Sequence, residues 1–129
     1  MREIWVATVD PKGRPDAVPV WFWWDGEHVY FTTKASSRKA RNLARQPEIV
    51  LLNGDGADPI IIRGRAEIVD DRDELDRLER AYSEKYVAPD TGERATIFVE
   101  GDVVLRIRPR RVLAWEYANV GYRTDWDFS

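Results

Sequence analysis

Between Ile4 and Thr33, three short runs of β-branched and aromatic residues are separated by tight-turn signals. Ile4-Trp-Val-Ala-Thr-Val9 ends at Asp10-Pro-Lys-Gly-Arg-Pro-Asp16, a Pro/Gly-rich stretch with the composition of a hairpin loop. Ala17-Val-Pro-Val-Trp-Phe-Trp-Trp24 follows and closes at Asp25-Gly26, a strong two-residue turn signal. A third strand, His28 to Thr33, begins at once. Two hairpins in succession make an antiparallel meander.

The pattern then changes. Ser36 or Ser37 suits the N-cap of a helix running to about Gln46 and stopped by Pro47, with Ala40, Leu43 and Ala44 toward the core. Strands resume at Ile49–Asn53 and Ile60–Val69, joined by the turn Gly54–Pro59. A second helix spans about 72–86, with Asp71 and Glu74 spaced as a capping box. Its apolar stripe is Leu75, Leu78, Tyr82 and Tyr86, and Asp73/Arg77 and Asp76/Arg80 stand at i,i+4. The polar loop 87–96 reads as mobile or as a lid. Two further strands, about 102–108 and 112–117, are separated by Pro109-Arg-Arg111, and the tail 118–129 is aromatic and unpatterned. With no repeat or linker, residues 1–129 form one domain of α+β or barrel type rather than a doubly wound sheet.

Several chemistries are excluded. The formal net charge is −3, so the molecule as a whole has no attraction for nucleic acid. No apolar run approaches the roughly 18 residues of a membrane span. No secretory signal pattern opens the chain, and a cytoplasmic location is expected. There is no cysteine and one histidine, His28, which reads as an ordinary strand residue; no metal site is expected. Asn53-Gly-Asp-Gly-Ala-Asp58 lacks the helices and terminal Glu of a calcium loop and reads as a turn. Without a Gly-x-Ser-x-Gly motif there is no hydrolase triad, and no catalytic side chain stands out. A cofactor has to bring the reactive atoms.

One segment points to such a cofactor. Lys34, Arg38 and Lys39 lie at or just before the first helix's N-terminus, where the macrodipole is positive and each cation costs about 0.3–1 kcal/mol. Free amides, the hydroxyls of Thr32, Thr33, Ser36 and Ser37, and three cations converge there; an anion resolves the conflict and a phosphate fits best, the alternative being a solvated basic face. The second strand adds another signal. Alternation places Val18, Val20, Phe22 and Trp24 on one face and Pro19, Trp21 and Trp23 on the other. Both faces are apolar, so a covering helix, a partner subunit or a planar ligand is expected on the second. Pro19 implies an edge or bulge.

Taken together, these residues resemble the pyridoxamine 5′-phosphate oxidase-like superfamily of FMN-binding split barrels. The likeness covers nearly the whole chain: the opening WVATVDPKGRPDAVPVWFWWDGEHVYFTT, the helix SRKARNLARQP and the strand IIIRGRAEIV. Within that group the chain is most similar to the short flavin/deazaflavin oxidoreductases, many of which use coenzyme F-420. The resemblance implies a mainly β fold: a six- to seven-stranded antiparallel split β-barrel with two covering helices. It implies that Thr32, Thr33, Lys34, Ser37, Arg38 and Lys39 hold a cofactor phosphate, that Pro19, Val20 and Trp21 lie along the ring system, and that Asn42 joins them. It also implies a homodimer with cofactor at the interface. The end Gly121-Tyr-Arg-Thr-Asp-Trp-Asp-Phe-Ser129 lacks the arginine/histidine substrate motif of true pyridoxamine phosphate oxidases, which argues against pyridoxine phosphate oxidation.

The function expected is hydride transfer between coenzyme F-420 and a small conjugated or unsaturated substrate. The alternatives are an FMN-dependent oxidoreductase, a flavin- or haem-binding carrier without turnover, and a structural dimer. Arg38, Arg41 and Arg45, at i, i+3 and i+7, form a basic stripe suited to the acidic tail of F-420, or a solvated face. Tyr122, Trp126 and Phe128 are too apolar for a free end, and the tail is expected to pack near the cofactor.

Overall fold

The computed structural model describes residues 3–86, 92, 96–115 and 123–127, with the backbone alone at 115 and 123–126. The strands are β1 (Glu3–Val9), β2 (Pro15–Trp21), β3 (Trp23–Trp24), β4 (Val29–Lys34), β5 (Glu48–Leu52), β6 (Ile60–Val69), β7 (Asp102–Trp115) and β8 (Arg123–Asp127). The helices are α1 (Arg38–Arg45) and α2 (Arg72–Lys85). All pairings are antiparallel, in the order β2-β1-β5-β6-β7-β4-β3, with β8 added against β7. The fold is the mainly β, curled antiparallel sheet with two helices that the sequence implies.

The curl follows from the strand order. β2 and β3 are the two ends of that path, yet in the chain only Phe22 separates them. The strand that leaves β1 at Trp21 therefore joins β4 at Trp23, which draws the two edges of the sheet together. At that switch neither ladder holds the peptide of Phe22. Its N–H instead donates to the Tyr86 hydroxyl at 2.9 Å, and its carbonyl accepts from the same hydroxyl at 2.5 Å and from Lys85 Nζ at 2.6 Å. The end of α2 thus satisfies backbone groups that the sheet leaves unpaired.

Two apolar clusters sit on opposite sides of the sheet. Ile4, Val6, Phe31, Leu43, Leu51, Leu105 and Ile107 fill the inside. Tyr30, Val69, Leu78, Tyr82, Tyr86 and Val104 pack beneath α2. β4 serves both, Val29 and Phe31 going inward and Tyr30 outward, as the two-residue period requires. On the β2–β3 run Val20 and Phe22 pack inward, while Trp23 joins the α2 cluster and stacks on Tyr30 at 5.5 Å. The expected division of this strand's faces holds, and α2 supplies part of the second face's cover.

Some expectations need correction. The strands expected at 102–108 and 112–117 are one strand, because Pro109 sits where the β6–β7 register shifts, opposite Gly64. A proline has no N–H to give a ladder and survives where the ladder is already broken. Gly64 is required there: a Cβ would lie 2.6 Å from the Arg108 carbonyl oxygen. The tail, read as unpatterned, contains β8, which adds to β7 outside the seven-strand path. In α1, Ala44 is exposed and Asn42 takes the buried place beside Leu43.

In α2 the Asp71 carboxylate caps the Glu74 N–H at 3.0 Å. The reciprocal half of the capping box is missing because the Glu74 carboxylate grips Arg106 at 2.6 and 2.7 Å. The ion pairs on this helix are Arg72–Asp76 and Glu74–Arg77, not the two expected. The stripe Leu75, Leu78, Tyr82 and Tyr86 faces the sheet as expected. Tyr122 and Phe128 lie outside the described residues, as does the loop 87–96 apart from Gly92 and Thr96.

Candidate functional site

β4 and α1 are joined by the turn Ala35-Ser36-Ser37, whose backbone is tied by Ser37 N–H to the Lys34 carbonyl at 3.0 Å. Ser37 is the N-cap: its Oγ accepts from the Ala40 N–H at 3.2 Å and lies 3.0 Å from Thr33 Oγ1. The amides of Arg38 and Lys39, the first two of the helix, find no hydrogen-bond partner among the described residues. No acidic residue occupies the first turn. Two free N–H groups, two hydroxyls and two adjacent cations thus form the donor set an oxyanion needs. The residues present fit a phosphate.

The ten residues singled out from sequence do not all converge. Thr33, Ser37, Arg38 and Lys39 gather at the α1 N-terminus, and Arg38 reaches across to Asp16 on β2 at 3.6 Å. Thr32 and Lys34 face the other way, because neighbours on a strand alternate. Thr32 lies beside Tyr82, whose phenol burial pushes up, and Lys34 pairs with Asp102 at 3.7 Å. Asp102 Oδ1 is buried and makes no hydrogen bond, so the Lys34 charge is what offsets it. Asn42 stands apart from the donor set at the α1 N-terminus. It is buried, and its Nδ2 donates to Thr8 Oγ1 at 3.0 Å, which fastens α1 to β1.

Pro19 and Trp21 are exposed on the outer side of β2, while Val20 packs into the core. Trp21 lies flat on Tyr86, centroids 4.8 Å apart and planes 8° from parallel. Lys85 Nζ sits 3.9 Å above the Phe22 ring, and burial pulls its pKa down. Sequence reasoning missed Tyr86 and Lys85, reading the end of α2 only as cover. Asp16 and Asp102 gave no signal either, since only the fold brings them beside Arg38 and Lys34. Among the described residues no group of His, Asp and Glu can hold a metal ion, and no helix is long and apolar enough to cross a membrane.

A family model described as pyridoxamine 5′-phosphate oxidase matches residues 2–116. The chain belongs to the pyridoxamine 5′-phosphate oxidase family. That match spans β1 to β7, hence both halves of the α1 site. Among solved structures of similar shape is a conserved hypothetical protein from Mycobacterium tuberculosis, 30% identical, with a TM-score of 0.75 over 95% of this chain and 81% of that one. An F-420 reductase is 28% identical, with a TM-score of 0.66 over 85% of this chain and 87% of its own. A pyridoxamine 5′-phosphate oxidase-related, FMN-binding protein from Nostoc punctiforme covers 99% of this chain and 87% of its own at 16% identity and a TM-score of 0.64, a likeness of fold. A search of the curated proteins finds no match to this chain. For the pyridoxamine 5′-phosphate oxidase family, a phosphate-bearing redox cofactor is the group whose chemistry the α1 donor set suits.

Proposed function

We propose that this protein is an oxidoreductase that binds coenzyme F-420 and uses it with a small conjugated or unsaturated substrate. The observation that carries the reading is the α1 N-terminus: free amides of Arg38 and Lys39, Ser37 and Thr33 hydroxyls, and no acid in the first turn. There the phosphate is held. From Asp16 beside Arg38, β2 leads to Pro19 and Trp21, against which the ring system lies. The bound cofactor supplies hydride chemistry, and the protein's part is to hold it by its phosphate, orient its ring and keep water from it. Thr33, Ser37, Arg38 and Lys39 do the first, and Pro19 and Trp21 the second, with Val20 packed into the core beneath them. Lys34, on the neighbouring face, has its charge taken up by Asp102 and is not counted in this set.

The preference for F-420 over FMN rests on the 28% identity to an F-420 reductase and on the exposed Arg41 of α1, placed to meet an acidic tail. Arg45, in contrast, is drawn back to the Val9 carbonyl at 2.7 Å and adds little to such a stripe. FMN is the second reading, since the α1 donor set is blind to what lies beyond the phosphate. Titrating both cofactors against tryptophan fluorescence tests the choice, and tighter FMN binding would reverse it. Reduction of the bound cofactor, followed by reoxidation on adding acceptors, separates an enzyme from a carrier.

A homodimer belongs to the same proposal. Trp5, 42% exposed, sits opposite Pro19 in the β1–β2 ladder, and Trp21, 44% exposed, lies further along the same face. A second copy of this chain covers that apolar face, where the cofactor ring also lies.

A further inference from the structure

α1 closes one end of the barrel through Leu43, Asn42 and Arg45. The other end encloses a cavity of about 760 Å³. Its walls include Ile4, Phe22, Trp24, Ile62, Pro109 and Val112, contributed by four strands and the β2–β3 switch. β1 alone measures the separation: Ile4 lines the cavity and Thr8 meets α1, about 13 Å further on at the usual rise of a strand. The cavity is therefore not the anion site seen from another side.

The polar residues at this mouth are turned away or already engaged. Asn53 spends its amide on the β5–β6 turn, donating to the Asp58 carbonyl at 2.7 Å and accepting from the Ile60 N–H at 3.1 Å. Arg108 points its guanidinium to Glu67 at 3.8 Å, on the α2 side of the sheet. The His28 ring meets Tyr30 edge-on at 6.1 Å on that same side. Glu27, exposed on the hairpin, adds a negative charge at the rim that opposes anions.

We propose that this open end of the barrel is a binding site for an uncharged, largely apolar small molecule, separate from the anion-binding end. Pockets that enclose drug-sized ligands run to about 300–1,000 Å³, so the volume suits one such molecule. An apolar cavity offers water few hydrogen-bond partners, whereas an apolar guest regains dispersion attraction from every wall. A carboxylate entering here meets one cation, Arg108, whose guanidinium is turned toward Glu67 and solvent, and it gives up its hydration with little in return. The inference does not rest on the cofactor reading.

The test titrates the full chain with N-phenyl-1-naphthylamine, an uncharged apolar fluorophore, and follows its emission. Saturation at one probe per chain is expected. In competition, 1-decanol should displace the probe at about tenfold lower concentration than decanoate, because the carboxylate loses its hydration unpaired. Ile62→Phe and Val112→Trp fill the cavity from two strands and should each weaken probe binding by about tenfold, while Arg38→Ala leaves it unchanged. Thermal melts show which variants fold, and the alcohol-to-acid order in the unaltered protein decides the matter if neither does. Absence of saturable binding, displacement by decanoate ahead of decanol, or undiminished binding in a folded filled variant would overturn the proposal.

Discussion

Asn42 Nδ2 donates to Thr8 Oγ1 at 3.0 Å, and the two residues are 3% and 2% exposed. This one buried hydrogen bond joins the helix that carries the proposed anion site to the strand that opens the barrel. It explains why a polar residue occupies the place on α1 where an alanine was expected to face the core. Asn42→Ala leaves the Thr8 hydroxyl buried without that partner, at a cost of about 1–3 kcal/mol. Thr8→Val in the same chain removes the orphan and should recover part of the loss. Chemical denaturation of the two single variants and the double variant measures the coupling.

Arg38→Ala and Lys39→Ala should each weaken cofactor binding, by about 1.5–3 kcal/mol for each charge-assisted hydrogen bond removed. Stability without cofactor should hold or rise slightly, since a cation leaves a helix N-terminus and the exposed Arg38–Asp16 pair at 3.6 Å is worth little. Calorimetric titration and melting curves, taken together, check both halves. Equal affinity in both variants would remove the phosphate assignment.

Tyr86→Phe keeps the ring that Trp21 stacks on but removes the hydroxyl that bonds both backbone groups of Phe22. The carbonyl retains Lys85, so the N–H is the group left unpaired. A destabilisation of about 1–2 kcal/mol is expected in denaturant unfolding, with altered tryptophan emission from the β2–β3 switch. An unchanged midpoint would mean that the sheet edges meet without help from α2.

Two pH limbs are expected. Arg106, hydrogen-bonded to Glu67 at 3.0 Å, holds that carboxyl below its ordinary 4.5. A depressed carboxyl stabilises the fold above its unfolded pKa, and this contribution is lost as pH falls below about 4.5 through the folded value. Burial, then Asp25, pushes the Tyr30 phenol up to about 12 from 10.0. A raised phenol stabilises the fold below 10.0, and that contribution is lost as pH rises toward 12. Arg106→Gln should flatten the acid limb and Tyr30→Phe the alkaline one, as read from melting temperature against pH.

Sedimentation at micromolar concentration should return twice the chain mass. Replacing Trp5 with Lys places a charge on the exposed β1–β2 face and should shift the chain toward monomer with its fold intact by circular dichroism. A monomer before substitution would remove the interface reading.

Much of the fold was legible because local signals agreed with one another. The Asp25-Gly26 turn, the Ser37 cap and the α2 stripe each rest on neighbours in sequence, and each stands where expected. Pro109 misled because a proline reads as a break, while the bulge opposite Gly64 absorbs it from 45 residues away in the chain. β8 was missed for a different reason: it pairs with the adjacent end of β7, but its residues Arg-Thr-Asp-Trp-Asp carry a single apolar side chain and no alternation that marks a strand.

The candidate site divides in the same way. Local sequence suffices to bring cations, hydroxyls and free amides together where β4 enters α1, because residues 33 to 39 are contiguous and a helix start has one geometry. It does not suffice to assign Thr32 and Lys34 to the opposite face, where Tyr82 and Asp102 take them up. Nor does it show Asn42 consumed by Thr8, or Tyr86 and Lys85 gathered at Phe22. Those relationships span from 34 residues, for Thr8 and Asn42, to 68, for Lys34 and Asp102, and side-chain chemistry does not encode distance. The curling of the sheet, which sends β2 and β3 to opposite edges and then joins them at Phe22, settles which groups meet.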